Sequence, residues 1–472
     1  MDQETMFQGT ACTLEQVLHS RSDRQDRQQA LLKGGCSCLI SFGLNVPGAV
    51  KQSPALRQVF DEGLSQLRQL LPSALGEESV RHPVTGSEAL LAVRLPAGVV
   101  KQKTVMLEEL HPLGRLFDLD VLDSSGRSLS RKDFGLPARR CLLCGGDAKV
   151  CGRSRAHDAA ALRHRLADIC GSFFRDKWAQ TYSDCAVRAL LHEVSATPKP
   201  GLVDRQNSGS HADMDFSTFV DSSVSLAGSF QEMFRIGWDG VDLPRSMLFD
   251  RLRFAGQKAE GAMLRATGGV NTHKGLIFSM GILCGALGAA TAKGGQIPTR
   301  DRVLDISREL GRCALADFQG EESIPDTSGL RCYRQYQITG ARGVAAGGFQ
   351  PVLTVGLPAL RRWTEAGLAL SDAAALTLLA LGSPCTDQSR QWRADFRLNG
   401  EQRRRGVERL KVGSALLFCF PGSPTVYYGD EAGMEGFEDP FNRRTYPWGQ
   451  EDKELLDWYA ALGRLRREHQ AL

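Results

Sequence analysis

The spacing of apolar positions changes character twice along the chain. To about Phe173, helical and strand periods alternate. Leu14–Lys33 is a charged stretch at helical spacing, with Thr13 placed to cap it. Cys38–Leu44 and residues 105–110 are short apolar runs that predict strands. Residues 116–122 alternate apolar and acidic positions before the turn Asp123-Ser124-Ser125-Gly126, which predicts another strand. From about Arg175 to Leu381 the apolar period is 3.6, as in residues 185–191, 247–264 and 277–290. Few β-branched residues and much Ala there predict helices joined by loops. Beyond Gly382 the chain opens polar and basic, including Arg403-Arg404-Arg405. Residues 415–428 then predict a helix running into a buried strand, and residues 453–469 a closing helix. The chain thus reads as multidomain: residues 1–173 α+β, residues 174–381 all-α, and a third piece over residues 382–472.

Composition narrows this picture. A length of 472 residues suits about three domains at roughly 150 residues each, large enough for cores without disulfide staples. With 42% hydrophobic and 24% charged residues, disordered, collagen-like and coiled-coil classes are excluded. The net charge of +4 is too small for a nucleic-acid footprint. The 13 Cys are odd in number and scattered, and no apolar signal core opens the chain. The expectation is a cytoplasmic protein with reduced thiols. Residues 275–292 lack charge over a length at the lower limit for a membrane span. They are rich in Gly and Ala and follow Lys274, so a buried helix of a soluble domain is expected, and no membrane partner. Gly, at 50 residues, exceeds the average of roughly 7% and clusters in turns and loops.

The sharpest chemistry in the first segment lies in His111-Pro112-Leu113-Gly114-Arg115-Leu116-Phe117-Asp118-Leu119-Asp120-Val121. Side chains alternate on a strand, so Asp118 and Asp120 share one face. Two adjacent carboxylates repel unless a cation lies between them, and Mg²⁺ bridging phosphates is the usual solution. Arg115 adds positive charge for phosphate. The competing reading, a solvated strand edge, is weakened by the Gly-Arg that precedes the pair and by its apolar flanks. Arg21, Arg24 and Arg27, three apart on the first long helix, face either phosphate or solvent. Cys141-x-x-Cys144, Cys151 and His157 have the residue types of a zinc site. Their spacing is not that of a standard ribbon and no second C-x-x-C exists, so reduced thiols in a tight loop are expected in place of zinc.

The strings GRLFDLDV, LPARRCLLC and, earlier, HSRSDRQDRQ resemble the apo-citrate lyase phosphoribosyl-dephospho-CoA transferase family across the whole first segment. The resemblance implies transfer of phosphoribosyl-dephospho-CoA from triphosphoribosyl-dephospho-CoA to a serine of the citrate lyase acyl carrier protein (the gamma subunit), with release of pyrophosphate. It implies that Asp118 and Asp120 hold Mg²⁺ and triphosphate, that Arg115 and Arg139 or Arg140 assist, and that the carrier serine attacks phosphorus.

The second segment carries His192-Glu193-Val194-Ser195-Ala196-Thr197-Pro198-Lys199-Pro200-Gly201-Leu202-Val203-Asp204. The prolines end a helix near Ser195, and the loop then presents Lys199, with Gly201 permitting close backbone approach. His211-Ala212-Asp213 follows, and later Glu260 precedes Thr267-Gly268-Gly269-Val270-Asn271-Thr272-His273-Lys274-Gly275. This Gly-rich loop ends where a helix begins, a place that favours phosphate. A plain αα-corner would not need its Asn, Thr, His and Lys. No strand leads into it, so it is not a Walker loop. These strings, with Thr339-Gly340-Ala341-Arg342-Gly343, resemble the triphosphoribosyl-dephospho-CoA synthase family, which condenses ATP with 3′-dephospho-CoA and expels adenine. The resemblance implies catalytic roles for Glu193, Asp204 and His273. It implies substrate or phosphate contacts from Lys199, Gly201, His211, Asp213, Glu260, Gly268, Gly269, Asn271, Thr272, Lys274 and Arg342. Metal ligands would come from the carboxylates and histidines among these. The two reactions are successive, and a fusion of the two families is coherent. The family's closing strings do not follow Leu381, so the synthase segment is expected to be truncated there.

The tail has a different resemblance. Ala415-Leu416-Leu417-Phe418-Cys419-Phe420-Pro421-Gly422-Ser423-Pro424-Thr425-Val426-Tyr427-Tyr428-Gly429-Asp430-Glu431, with Asp439-Pro440-Phe441-Asn442, resembles the last βα units of an α-amylase-family (β/α)8 barrel. Glycoside hydrolysis needs two carboxylates flanking the bond, and the strands that carry them in that family are absent. The expectation is a catalytically dead fragment, whose alternative role would be glycan binding.

Overall fold

The computed structural model describes residues 3–197, 199, 202–209, 211–294, 297–318, 333–334, 339–382, 400–419, 424, 426, 429–434 and 446–468. The chain divides into two compact units. One comprises Met1–Arg188, Val224–Arg265 and His273–Cys313. The other comprises Ala189–Ser223, Ala266–Thr272 and Ala314–Leu472.

The first unit begins with α1 (Gln3–Met6) and α2 (Leu14–Lys33). Thr13 and Gln16 form a reciprocal capping box at the start of α2, satisfying N–H groups that the first turn leaves open. Four strands follow, β1 (Cys38–Leu44), β2 (Leu75–Arg81), β3 (Glu88–Val93) and β4 (Phe117–Asp123), in one antiparallel sheet of order β2-β3-β1-β4. Strand β1 is central, and its even-numbered residues Cys38, Ile40 and Phe42 face the main core with α3 (Pro54–Leu70) and α4 (Ala97–Leu110). Phe42 stacks on Phe60 at 4.8 Å and meets Phe117 edge-on at 5.6 Å. On the opposite face Leu39, Leu90 and Ala92 are covered by Leu31, Leu32 and Cys36. Only this half of that face is apolar, and the other half carries Ser41, Gly43, Glu88, Asp118 and Asp120.

Residues 105–110, expected as a strand, are the last turns of α4. The buried positions Val100, Lys101, Thr104, Val105 and Glu108 have a helical period, but three of them are polar and hide it. Lys101 Nζ donates to the Leu119 carbonyl at 3.3 Å, and Glu108 Oε1 accepts from the Leu119 N–H at 3.2 Å. Strand β4 is an edge strand, so these buried charges satisfy backbone groups that no neighbouring strand pairs.

After the short helix α5 (Ala148–Ser154), the expected boundary at residue 173 falls inside one helix, α6 (Ala159–Ser195). Its Leu166, Ala167, Cys170, Phe174 and Ala179 belong to the same apolar core as the sheet, and so do Phe234 and Trp238. Helices α7 (Phe216–Ser225), α8 (Ala227–Asp239), α9 (Arg245–Ala266), α10 (Lys274–Thr291) and α11 (Arg300–Leu315) follow. Helix α10 is the apolar run expected as a buried helix. It is long and apolar enough to cross a membrane, at a mean hydropathy of 1.4, and half of it is buried. Its glycines lock it to α8: a Cβ on Gly288 would lie 2.0 Å from the Phe234 carbonyl oxygen, and one on Gly237 2.0 Å from that of Gly285.

In the second unit, helices Gly340–Ala346, Leu357–Glu365 and Leu370–Gly382 precede Gly400–Cys419 and Lys453–Glu468. Residues 415–428 are expected to run from a helix into a buried strand, and the strand part falls on residues 420–428, most of which lie outside the described residues. Residues 415–419 finish the helix Gly400–Cys419, because Ser414, Ala415 and Phe418 share a face that meets Trp458, Tyr459 and Leu462. Trp458 Nε1 donates to Ser414 Oγ at 3.1 Å, and the Phe418 and Tyr459 rings lie 6.2 Å apart. Residues 383–399, 420–423 and 435–445, where other features of the tail were read, lie outside the described residues.

Candidate active sites

Strand register assembles the first site. Asp118 is opposite Gly43, Gly43 is opposite Glu88, and Glu88 is opposite Arg81. Gly43 has no side chain, and a Cβ there would meet nothing nearer than 4.0 Å. An open trough therefore runs beside Asp118, with Asp120 next to it on the same exposed face. Burial first, then the Asp118 charge, push the Asp120 carboxyl above its ordinary pKa. A cation between the two would relieve this directly. Glu88 is not available for such a role: Arg24 Nε reaches it at 2.6 Å and Arg27 binds its second oxygen. Arg24 and Arg27 thus serve a buried carboxylate, neither phosphate nor free solvent, while Arg21 is exposed.

Arginines gather at the start of β4, beside Asp118. The Arg139 guanidinium donates to the carbonyls of Gly114 at 3.1 Å and Arg115 at 3.2 Å, and also to that of Phe117. It lies 3.9 Å from Asp118. Arg139 therefore holds the turn that launches the Asp118 strand. Gly114 fits there because a Cβ would lie 2.5 Å from the carbonyl oxygens of Leu107 and Glu108. Burial, Arg139 and Arg131 lower the Arg115 pKa, and among the described residues no carboxylate reaches ion-pair distance of Arg115. Arg131 is held by Glu108 and by Glu109 at 2.7 Å. Arg140, also expected at phosphate, is exposed and pairs with Asp147 through backbone alone. Arg115 and Arg139 line a pocket of about 530 Å³ with Asn45, Cys141, Arg155 and His157.

A second pocket, of about 760 Å³, opens between α3 and the first half of α6. Sequence reading missed its centre. Glu62 is buried, accepts from Lys177 and from Gln66 at 3.0 Å, and lies 3.8 Å from His111 Nε2. His111 pulls the Glu62 carboxyl down to about 2, burial opposes this, and Lys177 and Gln66 add to the pull. A lone Glu on an apolar helix face, followed four residues on by Gln, was the available signal.

The Cys141, Cys144, Cys151 and His157 group set aside above is brought together: their ligand atoms all lie within 4.8 Å of one another.

The central loops divide between the two units. In the second, Lys199 is buried and its Nζ donates to Glu193 at 2.8 Å. Asp204 is also buried and accepts backbone N–H groups from Lys199 at 3.0 Å, Gln206 at 2.7 Å and Asn207 at 3.0 Å. Burial opposes its ionisation, but the three N–H groups outweigh this and hold its pKa low. Asp204 therefore orders the loop that presents the Glu193–Lys199 pair. His211 Nδ1 lies 3.7 Å from Asp213. Gly268 and Gly269 both take positive φ, at 66° and 98°, which L-residues adopt with strain. Thr267 Oγ1 closes the loop on the Val270 carbonyl at 2.6 Å, and Thr272 Oγ1 meets Ser222 Oγ at 2.7 Å. Asn271 is exposed. Arg342 pairs with Asp317 at 3.4 Å and covers the Phe318 ring at 4.8 Å, so its charge is already engaged. In the first unit, His273 occupies the N-cap position of α10, is buried, and donates its backbone N–H to Met263 Sδ at 3.2 Å. Lys274 pairs with Glu260 at 3.0 Å. Gly201 lies outside the described residues.

Comparison with known proteins accounts for two of the three segments. Residues 12–173 match the family model of apo-citrate lyase phosphoribosyl-dephospho-CoA transferase. Residues 179–396 match that of ATP:dephospho-CoA triphosphoribosyl transferase, a match that runs beyond Leu381. A protein CitXG of Leuconostoc mesenteroides subsp. cremoris is 37% identical over 75% of this chain and 78% of its own length. One from Haemophilus influenzae is 34% identical over 74% of this chain and 76% of its own. A 2-(5''-triphosphoribosyl)-3'-dephosphocoenzyme-A synthase of Escherichia fergusonii is 31% identical over 60% of this chain and 90% of its own. None of these matches supports the amylase-like or glycan reading of the tail.

Proposed function

The chain belongs to the CitXG family, and from that premise we propose how its residues divide the work of a bifunctional enzyme that makes and attaches the citrate lyase prosthetic group. The first segment transfers phosphoribosyl-dephospho-CoA to the acyl carrier protein, and the second makes triphosphoribosyl-dephospho-CoA from ATP and 3′-dephospho-CoA.

The observation that carries the transferase site is the open trough of β4. Asp118 and Asp120 stand together on an exposed face, with Gly43 leaving room and Lys101 and Glu108 holding the backbone between them. Their chemistry fits Mg²⁺, a hard cation that takes carboxylate and phosphate oxygens. When bound, Mg²⁺ would neutralise charge on the triphosphate. Arg115, with no carboxylate of its own, holds a phosphate of the leaving pyrophosphate, and Arg139 positions Asp118 and the turn behind it. The carrier serine approaches from the solvent side of the trough, where nothing of β4 shields it. The serine oxygen forms the new bond to phosphorus as its hydroxyl proton is lost to solvent, and pyrophosphate departs carrying the cleaved P–O electron pair.

For the synthase, Lys199 holds ATP phosphate while Glu193 keeps its ammonium in place. The Gly268-Gly269 turn supplies backbone N–H donors at positive φ, which side chains would obstruct. Asp204 stabilises the loop. We place the protein in the cytoplasm, in line with its described cysteines forming no disulfide.

The test is mass spectrometry of apo carrier protein incubated with the full chain and Mg²⁺. One mixture receives preformed triphosphoribosyl-dephospho-CoA and the other ATP plus 3′-dephospho-CoA. Both should add the same mass to the carrier. No addition from the preformed substrate would defeat the transferase assignment, and addition from that substrate alone would defeat the synthase assignment.

A further inference from the structure

We propose that Cys141, Cys144, Cys151 and His157 form a closed Cys₃His zinc site that braces the loop carrying Arg139. The argument begins with the local chain. Residues Cys141 to Cys144 make a tight turn: Gly145 N–H returns to the Cys141 carbonyl at 3.2 Å, and Cys141 N–H donates to the Gly146 carbonyl at 2.5 Å. Gly145 takes φ of 72°, which frees both sulfurs to point the same way.

The other two ligands are delivered by a short helix, Ala148–Ser154, whose first turn is capped by Asp147 accepting from Lys149 and Val150. Cys151 sits on its inner side, with Sγ 3.5 Å from Cys144 Sγ. The helix ends at Arg155, which takes the left-handed conformation at φ 48°. That conformation is strained for a non-Gly residue. The reversal brings His157 back so that its Nε2 lies 3.3 Å from Cys144 Sγ. A strained residue whose effect is to return a histidine to three thiols is explained by a ligand that they share.

The distances fit zinc. Sulfurs at about 2.3 Å from a tetrahedral ion lie about 3.8 Å apart, and the four ligand atoms already sit within 4.8 Å of one another. Four protein ligands fill the shell, so the site is structural and leaves no position for substrate or water. Three thiolates and Zn²⁺ carry one net negative charge. Arg115, Arg139 and Arg155 line the same pocket as Cys141 and His157 and offset it. Sequence spacing argued against zinc because it assumed a two-knuckle ribbon. Here one knuckle is completed by a capped helix and a left-handed turn.

The site is independent of the transferase reading, and its test needs no activity. The full-length protein, purified without chelator, is analysed for metal by mass spectrometry. About one zinc per chain is expected, falling at least tenfold in Cys144→Ser and in His157→Ala, but unchanged in Cys185→Ser, an exposed cysteine elsewhere. Should the variants fold poorly, titrating wild-type thiols with a mercurial in the presence of a colorimetric zinc indicator reads the same site. Zinc should be released stoichiometrically as the three site thiols react. Protein without zinc, a Cys144–Cys151 disulfide in the freshly purified chain, or zinc retained in both site variants would overturn the proposal.

Discussion

Replacing Glu62 by Gln tests whether the first half of α6 belongs energetically to the N-terminal sheet. The substitution keeps shape and hydrogen bonding to Gln66 but removes the charge that Lys177, four residues beyond the expected domain boundary, and His111 recognise. Glu62 is buried, and its carboxyl drops from an ordinary 4.5 to about 2. That difference corresponds to about 3 kcal/mol of native stability. Because the folded pKa is the lower one, this stability is fully present above pH 4.5 and disappears as pH falls toward 2. At pH 3 roughly 1–1.5 kcal/mol should remain. The assay is urea unfolding of wild type and variant at pH 7, 5, 4 and 3, followed by tryptophan fluorescence, since Trp178 neighbours Lys177 and packs on this core. The variant should be less stable by about 3 kcal/mol at neutral pH, with the gap closing below pH 4.5. A gap below about 1 kcal/mol at pH 7, or one that does not change with pH, would refute the charged triad as a joint between sheet and helix.

Three further outcomes are expected. Gly288→Ala places a methyl group 2.0 Å from the Phe234 carbonyl oxygen, which should separate α8 from α10 and cost about 1–3 kcal/mol; an unchanged melting temperature would contradict the close packing. Asp118→Asn with Asp120→Asn should reduce carrier modification at least a hundredfold (~3 kcal/mol of barrier) while leaving the thermal melt intact, and a rate near wild type would remove the metal role. Asp204→Asn should lower triphosphoribosyl-dephospho-CoA formation by disordering the Lys199 loop, with transferase turnover from the preformed substrate unchanged; equal loss of both would point to general unfolding instead.

Much of the local structure was legible in the sequence. Thr13 and the period behind it mark α2, Cys38–Leu44 is the central strand, and the alternation around Asp118 and Asp120 puts both on one face. These features depend on near neighbours in the chain, and side-chain periodicity reports them directly. What required the tertiary structure is every place where a polar residue is buried for a partner distant in sequence. Lys101 and Glu108 interrupt the apolar period and so hide a helix, yet they satisfy the backbone of an edge strand. Arg24 and Arg27 looked like phosphate ligands or a wet helix face, yet they neutralise Glu88 from across the sheet. Asp204 has the residue type of a catalyst, but its lone pairs are taken by its own loop. Glu62 gave almost no signal, because its partners lie 49 and 115 positions away, at His111 and Lys177. The cysteines show the same limit: spacing tests one coordination pattern at a time, whereas a capped helix and one left-handed residue bring four ligands together in a pattern that spacing does not encode. Local sequence determines which side chains share a face; only folding determines which charges meet, because a buried charge is tolerated where the chain returns a partner to it.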